Sequence, residues 1–326
     1  MEFYLLAIIG GFALLVWGAN RFVVGAAATA YHLGVSPLII GLTIVGFGTS
    51  APEILVSAMA AWQGNPGLSI GNAIGSNITN IALVLGVGAL ITPLDVHSQA
   101  LRRELPILVG VMFAVLLLIL DGVLSRVDGI ILLLGLVLIL TWITKVNINF
   151  RGHDAIADEV EEEIPADLTI RGALGYLAMG LVVLLFSSFL LVWGATEIAR
   201  TLGVSDLIIG LTIVALGTSL PELATTVVSA LKHEHDIAIG TIIGSNLFNL
   251  LAVLGMPGLI SPGPFEAGLL TRDYPIMIGL TLLFFCMAYK WRGGTPRINR
   301  LEGSMLLSAY VGYQTLLYLT ARGLLG

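Results

Sequence analysis

The chain carries one cysteine, Cys286, in 326 residues. A single thiol excludes an intrachain disulfide and a metal site built from cysteines. Charge is equally scarce. Asp, Glu, Lys and Arg together make up 11% of the chain, under half the roughly 25% of soluble domains. Hydrophobic residues reach 57%, and 39 glycines in 326 residues add about 12%, against roughly 45–50% for both together in soluble proteins. A soluble globule of this size could not cover its surface with so few charges. The composition therefore excludes a soluble enzyme, a nucleic-acid binder and a disordered protein, and points to a polytopic membrane protein. The net charge of −6 describes one segment more than the whole, since seven of the 21 acids lie between Asp154 and Asp167.

Apolar runs separated by polar punctuation predict ten spans: 3–28, 37–61, 68–91, 103–120, 128–145, 172–199, 205–231, 237–260, 274–290 and 302–320. These runs are too long, and alternate too little, for barrel strands, so they are read as helices. The first basic residue, Arg21, follows the first apolar stretch, which is accordingly read as a span and not as a cleavable signal. Placing the N-terminus outside puts 11 of the 15 Lys and Arg residues at or beyond cytoplasmic ends and leaves Arg126, Arg200, Arg272 and Arg322 outside. The expectation is a protein of the inner membrane with both termini outside and the acidic 146–170 loop, read as a solvated linker, in the cytoplasm.

The sequence repeats itself. Leu33–Glu53 (LGVSPLIIGLTIVGFGTSAPE) and Leu202–Glu222 (LGVSDLIIGLTIVALGTSLPE) agree at 17 of 21 positions with an offset of 169. At the same offset, Ile70–Asn80 (IGNAIGSNITN) and Ile239–Asn249 (IGTIIGSNLFN) agree at seven of 11, and Pro93, Arg103 and Pro106 match Pro262, Arg272 and Pro275. Five spans per copy is an odd number, so the second copy enters the membrane from the opposite side, the inverted-topology arrangement of secondary transporters. The fold expected is an all-α polytopic membrane protein of ten transmembrane helices in two inverted five-helix repeats. The first is 1–145, with motif helices 37–61 and 68–91. The second is 171–326, with motif helices 205–231 and 237–260. Residues 146–170 link them.

Of the 21 acids, only Glu53 and Glu222 sit well inside the predicted spans, at equivalent repeat positions. A carboxylate at membrane depth costs several kcal/mol, and no Lys or Arg lies at that depth to pair with either. The simplest partner is a cation that comes and goes. Thr49 and Ser50 precede Glu53 by four and three residues, as Thr218 and Ser219 precede Glu222, which on a helix puts hydroxyls around each carboxylate. Pro52 and Pro221 have no amide hydrogen, so the carbonyls of Gly48 and Gly217 lose their helical partner, and such freed carbonyls are ready cation ligands. Ser76 with Asn80, and Ser245 with Asn249, lie four apart on one helix face. Carboxylates, hydroxyls, amide oxygens and carbonyls are all hard donors, which suits calcium, sodium or magnesium and disfavours zinc or copper. Gly41, Gly71, Gly75, Gly210, Gly240 and Gly244 are read as close-packing positions. Asn77 and Asn246 stand equally as ligands or as bridges between helices. Arg103–Glu104 and Arg272–Asp273 are read as anchors of helix ends.

GTSAPE with GSNITN, and GTSLPE with GSNLFN, resemble the two alpha repeats of the sodium/calcium exchanger family within the calcium/cation antiporter superfamily. The resemblance covers nearly the whole chain and is closest to compact prokaryotic members. It implies exchange of calcium for sodium by alternating access, with Glu53 and Glu222 as shared ligands of both ions. Thr49, Ser50 and Ser76 would serve one sodium site, and Thr218, Ser219 and Ser245 its counterpart. The backbone carbonyls of Gly46 and Ala215, and of Thr49 and Thr218, would complete coordination, and Asn80 and Asn249 would line the centre. The first and sixth spans would slide across the motif helices. The transported ions and the bilayer are the expected partners, with no cofactor and no nucleic acid, and a monomer suffices. Many exchangers carry Asp at the position of Asn249, whereas both copies here carry Asn, which removes one central acid and bears on stoichiometry, potassium dependence and the driving ion. Proton coupling would then rest on Glu53 or Glu222.

Three other readings are weighed. A proton/calcium antiporter needs titratable groups but no flanking sodium ligands, and the hydroxyl-rich GTS segments favour sodium. An intramembrane enzyme is disfavoured because all five histidines (His32, His97, His153, His233 and His235) lie in loops or at span ends, and Ser50 and Ser219 have no general base nearby in sequence. A passive channel requires several weak sites in series, where the repeat provides one.

Overall fold

With no water in the bilayer core to take up backbone hydrogen bonds, apolar runs of this length must satisfy their own N–H and C=O groups, and they do so here as helices. The computed structural model describes residues 2–34, 40–64, 66–96, 101–148, 168–201, 215–266, 268–289 and 296–321. In the first half these residues form α1 (Glu2–Leu33), α2 (Gly41–Thr49, of which Gly41–Val45 is π-helical), α3 (Ala51–Trp62), α4 (Pro66–Thr79), a π segment (Asn80–Leu85), α5 (Gly86–Ile91), α6 (Leu101–Ile119) and α7 (Arg126–Ile148). The second half has α8 (Ile170–Thr201), α9 (Ala215–Thr218), α10 (Leu220–Leu231), α11 (His235–Phe248), a π segment (Asn249–Val253), α12 (Gly255–Ile260), a third π segment (Leu269–Asp273), α13 (Tyr274–Ala288) and α14 (Arg300–Ala321). The offset seen in the sequence recurs in the backbone: the starts of α3, α4 and α5 at residues 51, 66 and 86 reappear at 220, 235 and 255 in α10, α11 and α12.

Among the described residues, six helices are long and apolar enough to cross a membrane, or seven when the bent pair α2 and α3 counts as one span. The expected ten spans are not counted among the described residues: there Glu104–Ile119 and Leu220–Leu231 are apolar but shorter than a span, with 202–214 outside the described set, and Arg300–Ala321 is not among the six despite its 22 residues. The all-helical expectation also missed two antiparallel ladders of two residues each. In these, β1 (Leu94–Asp95) pairs with β4 (Arg297–Ile298), and β2 (Val123–Leu124) pairs with β3 (Gly263–Pro264). Segments this short carry no periodicity for sequence reading to detect. The first ladder is reinforced by an Arg297–Asp95 ion pair at 3.3 Å.

Both ladders join one copy to the other, and the helices follow the same rule. α1 packs along α8, α2 on α11, α7 on α12, and α14 on α5. The halves are therefore interlocked at the core, which is lined by Ile74, Ile78, Ile81 and Leu85 of the first copy and Ile239, Ile242, Ile243 and Leu247 of the second. α1 and α8, at 32 residues each, are about 48 Å long, well beyond the roughly 30 Å hydrocarbon core.

Close approach at two seams depends on glycine. Where α2 crosses α11, a Cβ on Gly244 would overlap the carbonyl of Leu42, and one on Gly46 would stand 3.2 Å from Gly244 Cα and Ser245 N. Gly41 sits against Ile237 and Gly240 in the same seam. Where α1 meets α8, Gly25 abuts the Leu177 backbone and Gly180 the Phe22 backbone. The packing role read for Gly71 and Gly75 is not seen, since a Cβ at either meets no described atom within 4 Å; Gly210 lies outside the described residues. Gly244→Ala is expected to lower the thermal midpoint of the detergent-purified protein, with an overpacking cost of about 1–3 kcal/mol. Gly110→Ala and Gly312→Ala, where a Cβ meets nothing within 4 Å, should leave the midpoint unchanged or raise it through better helix propensity.

Candidate functional site

Each motif helix is cut just ahead of its glutamate. Pro52 and Pro221 cannot donate a backbone hydrogen bond, and both sit in the first turn of the helix after the cut, where no donor is required. α2 and α3 meet at a bend of 48°. Ser50 (φ −82°, ψ 3°) and Ser219 (φ −89°, ψ 7°) hold nearly the same non-helical conformation at the two cuts. Glu53 and Glu222 thereby fall in the first turns of α3 and α10. There they are buried, at 1% and 0% exposure, and close enough for their charges to act on each other.

The hydroxyls reach these carboxylates across the repeat. Ser50 Oγ donates to Glu222 Oε1 at 3.2 Å, and Ser219 Oγ donates to Glu53 Oε1 at 3.4 Å. Ser245 Oγ donates to the same Glu222 oxygen at 3.2 Å and shares a 3.3 Å hydrogen bond with Thr49 Oγ1. Thr49 faces Glu222, and Thr218 faces Glu53. Helical spacing had grouped Thr49 and Ser50 with Glu53, and Thr218 and Ser219 with Glu222, and this grouping is corrected. The helix breaks between hydroxyl and carboxylate, so residues four apart no longer share a face and each set turns to the partner copy. Ser76 is buried on α4. The Gly46 carbonyl accepts the Ser50 N–H at 3.1 Å and the Thr49 hydroxyl at 3.4 Å, so Thr49 must rotate before that oxygen has a free lone pair. Ala215 opens α9, in the position equivalent to Gly46.

The asparagines of the second motif are buried. Asn80 and Asn249 each begin a π segment; such i+5 turns occur often at functional sites and leave no mark in the hydrophobic pattern. Asn80 Nδ2 donates to Asn246 Oδ1 at 3.2 Å, which makes Asn246 a bridge between copies, while Asn77 Nδ2 turns back to the Ala73 carbonyl at 2.8 Å. Six buried side-chain atoms here have no hydrogen-bond partner among the described residues: Glu53 Oε2, Glu222 Oε2, Asn80 Oδ1, Asn246 Nδ2, and Asn249 Oδ1 and Nδ2. Each such atom costs about 1–3 kcal/mol; all six belong to the paired motifs, in which each π segment packs against the glutamate helix of the other copy, and so many unpartnered polar atoms in these motifs point to a site more than to packing. Four of the six are oxygens, two of them carboxylate oxygens. Among the described residues no Lys or Arg pairs with either glutamate. The arrangement is suited to hold a hard cation stripped of most of its water.

The reading that only two acids lie well inside the chain needs qualification. Glu104, Glu234, Asp236 and Asp273 are also buried, at 2%, 8%, 7% and 8% exposure. Each stands at a helix end and not in mid-span, and Asp273 pairs with Arg272 at 2.8 Å and accepts the Tyr313 hydroxyl at 3.0 Å. The side chain of Arg103 and residues 149–167 of the linker lie outside the described set. Sequence reasoning also missed the buried hydroxyls of Thr225, Thr226 and Ser229 beyond Glu222 on α10. The signal was available as polar residues at i, i+3, i+4 and i+7 in an otherwise apolar run.

The family model described as "Sodium/calcium exchanger protein" matches residues 3–145 and 172–319. The chain is 40% identical over 313 residues to the inner membrane protein YrbG of Escherichia coli, covering 95% of each chain. It is 32% identical over 348 residues to the sodium/calcium exchanger MaX1 of Methanosarcina acetivorans, covering 94% of this chain and 96% of that one. The solved structure of the sodium-calcium exchanger NCX_Mj soaked with 2.5 mM Na+ and 0.1 mM Ca2+ superposes with a TM-score of 0.82 at 33% identity, over 95% of this chain and 96% of that one.

Double-mutant cycles on thermal or denaturant unfolding test the cross-copy grouping. Ser50→Ala with Glu222→Gln should show a coupling of about 0.5–1.5 kcal/mol, and Ser50→Ala with Glu53→Gln should be close to additive. The reverse pattern would restore the within-copy grouping.

Proposed function

The chain belongs to the sodium/calcium exchanger family, a family of membrane transporters and not of enzymes, and from that premise we propose that it exchanges calcium for sodium across the membrane by alternating access. The observation that carries this reading is the pair of buried carboxylates, one from each copy, each hydrogen-bonded by a serine of the other copy and neither paired with Lys or Arg among the described residues. Together they bear a charge of −2 when ionised. One calcium ion neutralises it, and so do two or more sodium ions, which makes occupancy by the two ions mutually exclusive and couples their movement.

On this reading Glu53 and Glu222 are the shared central ligands. Thr49, Ser50 and Ser245 gather on the Glu222 side, and Thr218 and Ser219 on the Glu53 side. Ser76, Asn80, Asn249 and the carbonyls of Gly46 and Ala215 supply neutral oxygens. With Asn at both 80 and 249 the centre keeps two acids, so any proton coupling falls to the glutamates. The chain spans the inner membrane ten times as two inverted five-helix halves, 1–145 and 171–326, with both termini outside and 146–170 in the cytoplasm. α1 and α8 slide as a pair across the motif helices, a motion supported by their tight glycine seam with each other. A monomer suffices.

Reconstituted into sodium-loaded proteoliposomes, the protein should take up calcium down the outward sodium gradient, and Glu53→Gln or Glu222→Gln should lower uptake by about 100-fold or more, the equivalent of losing some 2.7 kcal/mol of ion stabilisation. Full uptake by either variant would refute the site. Calcium uptake driven by a pH gradient alone, with no sodium present, would replace sodium by protons as the driving ion.

A further inference from the structure

Glu222 is the first of four polar residues on one face of α10, followed by Thr225, Thr226 and Ser229 at i+3, i+4 and i+7. All four have 0% exposure. The hydroxyl oxygens of Thr225, Thr226 and Ser229 have no hydrogen-bond partner among the described residues. Serine and threonine inside helices usually donate to the carbonyl one turn back. Thr29, Thr241 and Thr281 do so in this chain, at 2.6–2.8 Å. The three α10 hydroxyls do not, although a buried donor left unpaired carries the full desolvation cost of the group.

The row has no counterpart in the first copy. The positions equivalent to Glu222, Thr225, Thr226 and Ser229 are Glu53, Val56, Ser57 and Ala60. Two of these are apolar, and the third, Ser57, is fully engaged with the Val253 carbonyl at 2.7 Å and with Ser69. Unpaired hydroxyls therefore extend from only one of the two carboxylates. They run about 10 Å along α10 at 1.5 Å per residue, toward the turn between α10 and α11. There the Ser229 carbonyl accepts the Glu234 N–H at 2.8 Å, and His233 is exposed. The row thus leads from the buried site toward the exposed turn, its last member Ser229 still being buried. At its middle, Thr226 lies against α5 at Gly88, where a Cβ would stand 3.0 Å from the Thr226 methyl, so a glycine is what lets α5 pack this closely over the row.

We propose that Thr225, Thr226 and Ser229 form a hydrated track along which a cation travels between Glu222 and the aqueous phase at the α10–α11 turn. Hydroxyl oxygens are hard, neutral donors, and these three span about one helical turn from Thr225 to Ser229. They can replace hydration-shell oxygens one after another without the charge that would trap the ion, as passage between sites requires. The track rests on the reading of Glu222 as an ion ligand and extends that site to one side of the membrane.

The test is cysteine accessibility in the full-length protein, in proteoliposomes on a Cys286→Ser background, with Lys232→Cys in the turn as the positive control. A membrane-impermeant thiosulfonate reagent should modify Ser229→Cys, Thr226→Cys and Thr225→Cys from the side that modifies Lys232→Cys and not from the other. Saturating calcium should slow modification of Thr225→Cys, nearest the site, at least tenfold. Thr225→Val with Thr226→Val, which keeps shape and removes the hydroxyls, should cut maximal calcium uptake about tenfold with half-saturation unchanged. A purely packing role is established instead if the three α10 cysteines stay unmodified from both sides while Lys232→Cys reacts, or if the valine pair transports at the original rate. Calcium uptake by the Cys286→Ser parent separates the two ideas. Normal uptake with unreactive α10 cysteines refutes the track alone, and absent uptake with one-sided modification refutes calcium exchange.

Discussion

Two carboxylates whose charges act on each other in a water-poor interior repel when both are ionised, and among the described residues no Lys or Arg pairs with either. That repulsion, between Glu53 and Glu222, is the constraint on which the rest of the structure turns. Neither residue is isolated from polar company: serines of the opposite copy each donate to one carboxylate oxygen. In both residues the second oxygen has no partner among the described residues. A chain selected for stability alone would have replaced this pair with apolar side chains, since buried charges rarely repay their desolvation. The arrangement makes physical sense if positive charge arrives from outside.

The surrounding architecture serves to bring the two copies to this meeting. The breaks at Ser50 and Ser219 start a fresh helix one turn before each glutamate, which directs both side chains inward and frees the preceding hydroxyls to cross. The π segments beginning at Asn80 and Asn249 pack against the glutamate helices of the opposite copy. The glycine seam of α2 on α11 lets the backbones approach until Ser245 is within hydrogen-bonding distance of Thr49. The reciprocal pairings of α7 with α12 and α14 with α5, and the two cross-copy ladders, lock the halves at their rims. The long α1–α8 pair lies beside this core with its own seam. That division into an interlocked centre and a separate pair matches the proposed alternation of access.

Much of this was legible in the chain itself. The duplication, the two paired glutamates and the prolines that cut the helices are local signals that survive in any reading of the sequence, and the backbone repeats at the same offset of 169 residues. What remained hidden is non-local. Spacing along an unbroken helix put Ser50 beside Glu53, and it took the 48° bend to send that hydroxyl to Glu222. The π segments, the two-residue ladders and the bonding of Asn77 to its own helix have no periodic signature. Thr225, Thr226 and Ser229 were passed over because single hydroxyls in an apolar helix look like ordinary packing until their hydrogen bonds are traced. The asymmetry between the copies stands in the aligned repeats as Thr225, Thr226 and Ser229 against Val56, Ser57 and Ala60.

Cation-dependent thermal stability of the purified protein tests the central claim most directly. If Glu53 and Glu222 share one ion, calcium at a hundredfold excess over its dissociation constant stabilises the protein by about 2.7 kcal/mol. Glu53→Gln and Glu222→Gln each lose most of that gain, and each is more stable than the parent when no cation is added, because the repulsion is gone. A parent protein indifferent to calcium, or glutamine variants that keep the full calcium shift and are less stable without it, would contradict the account.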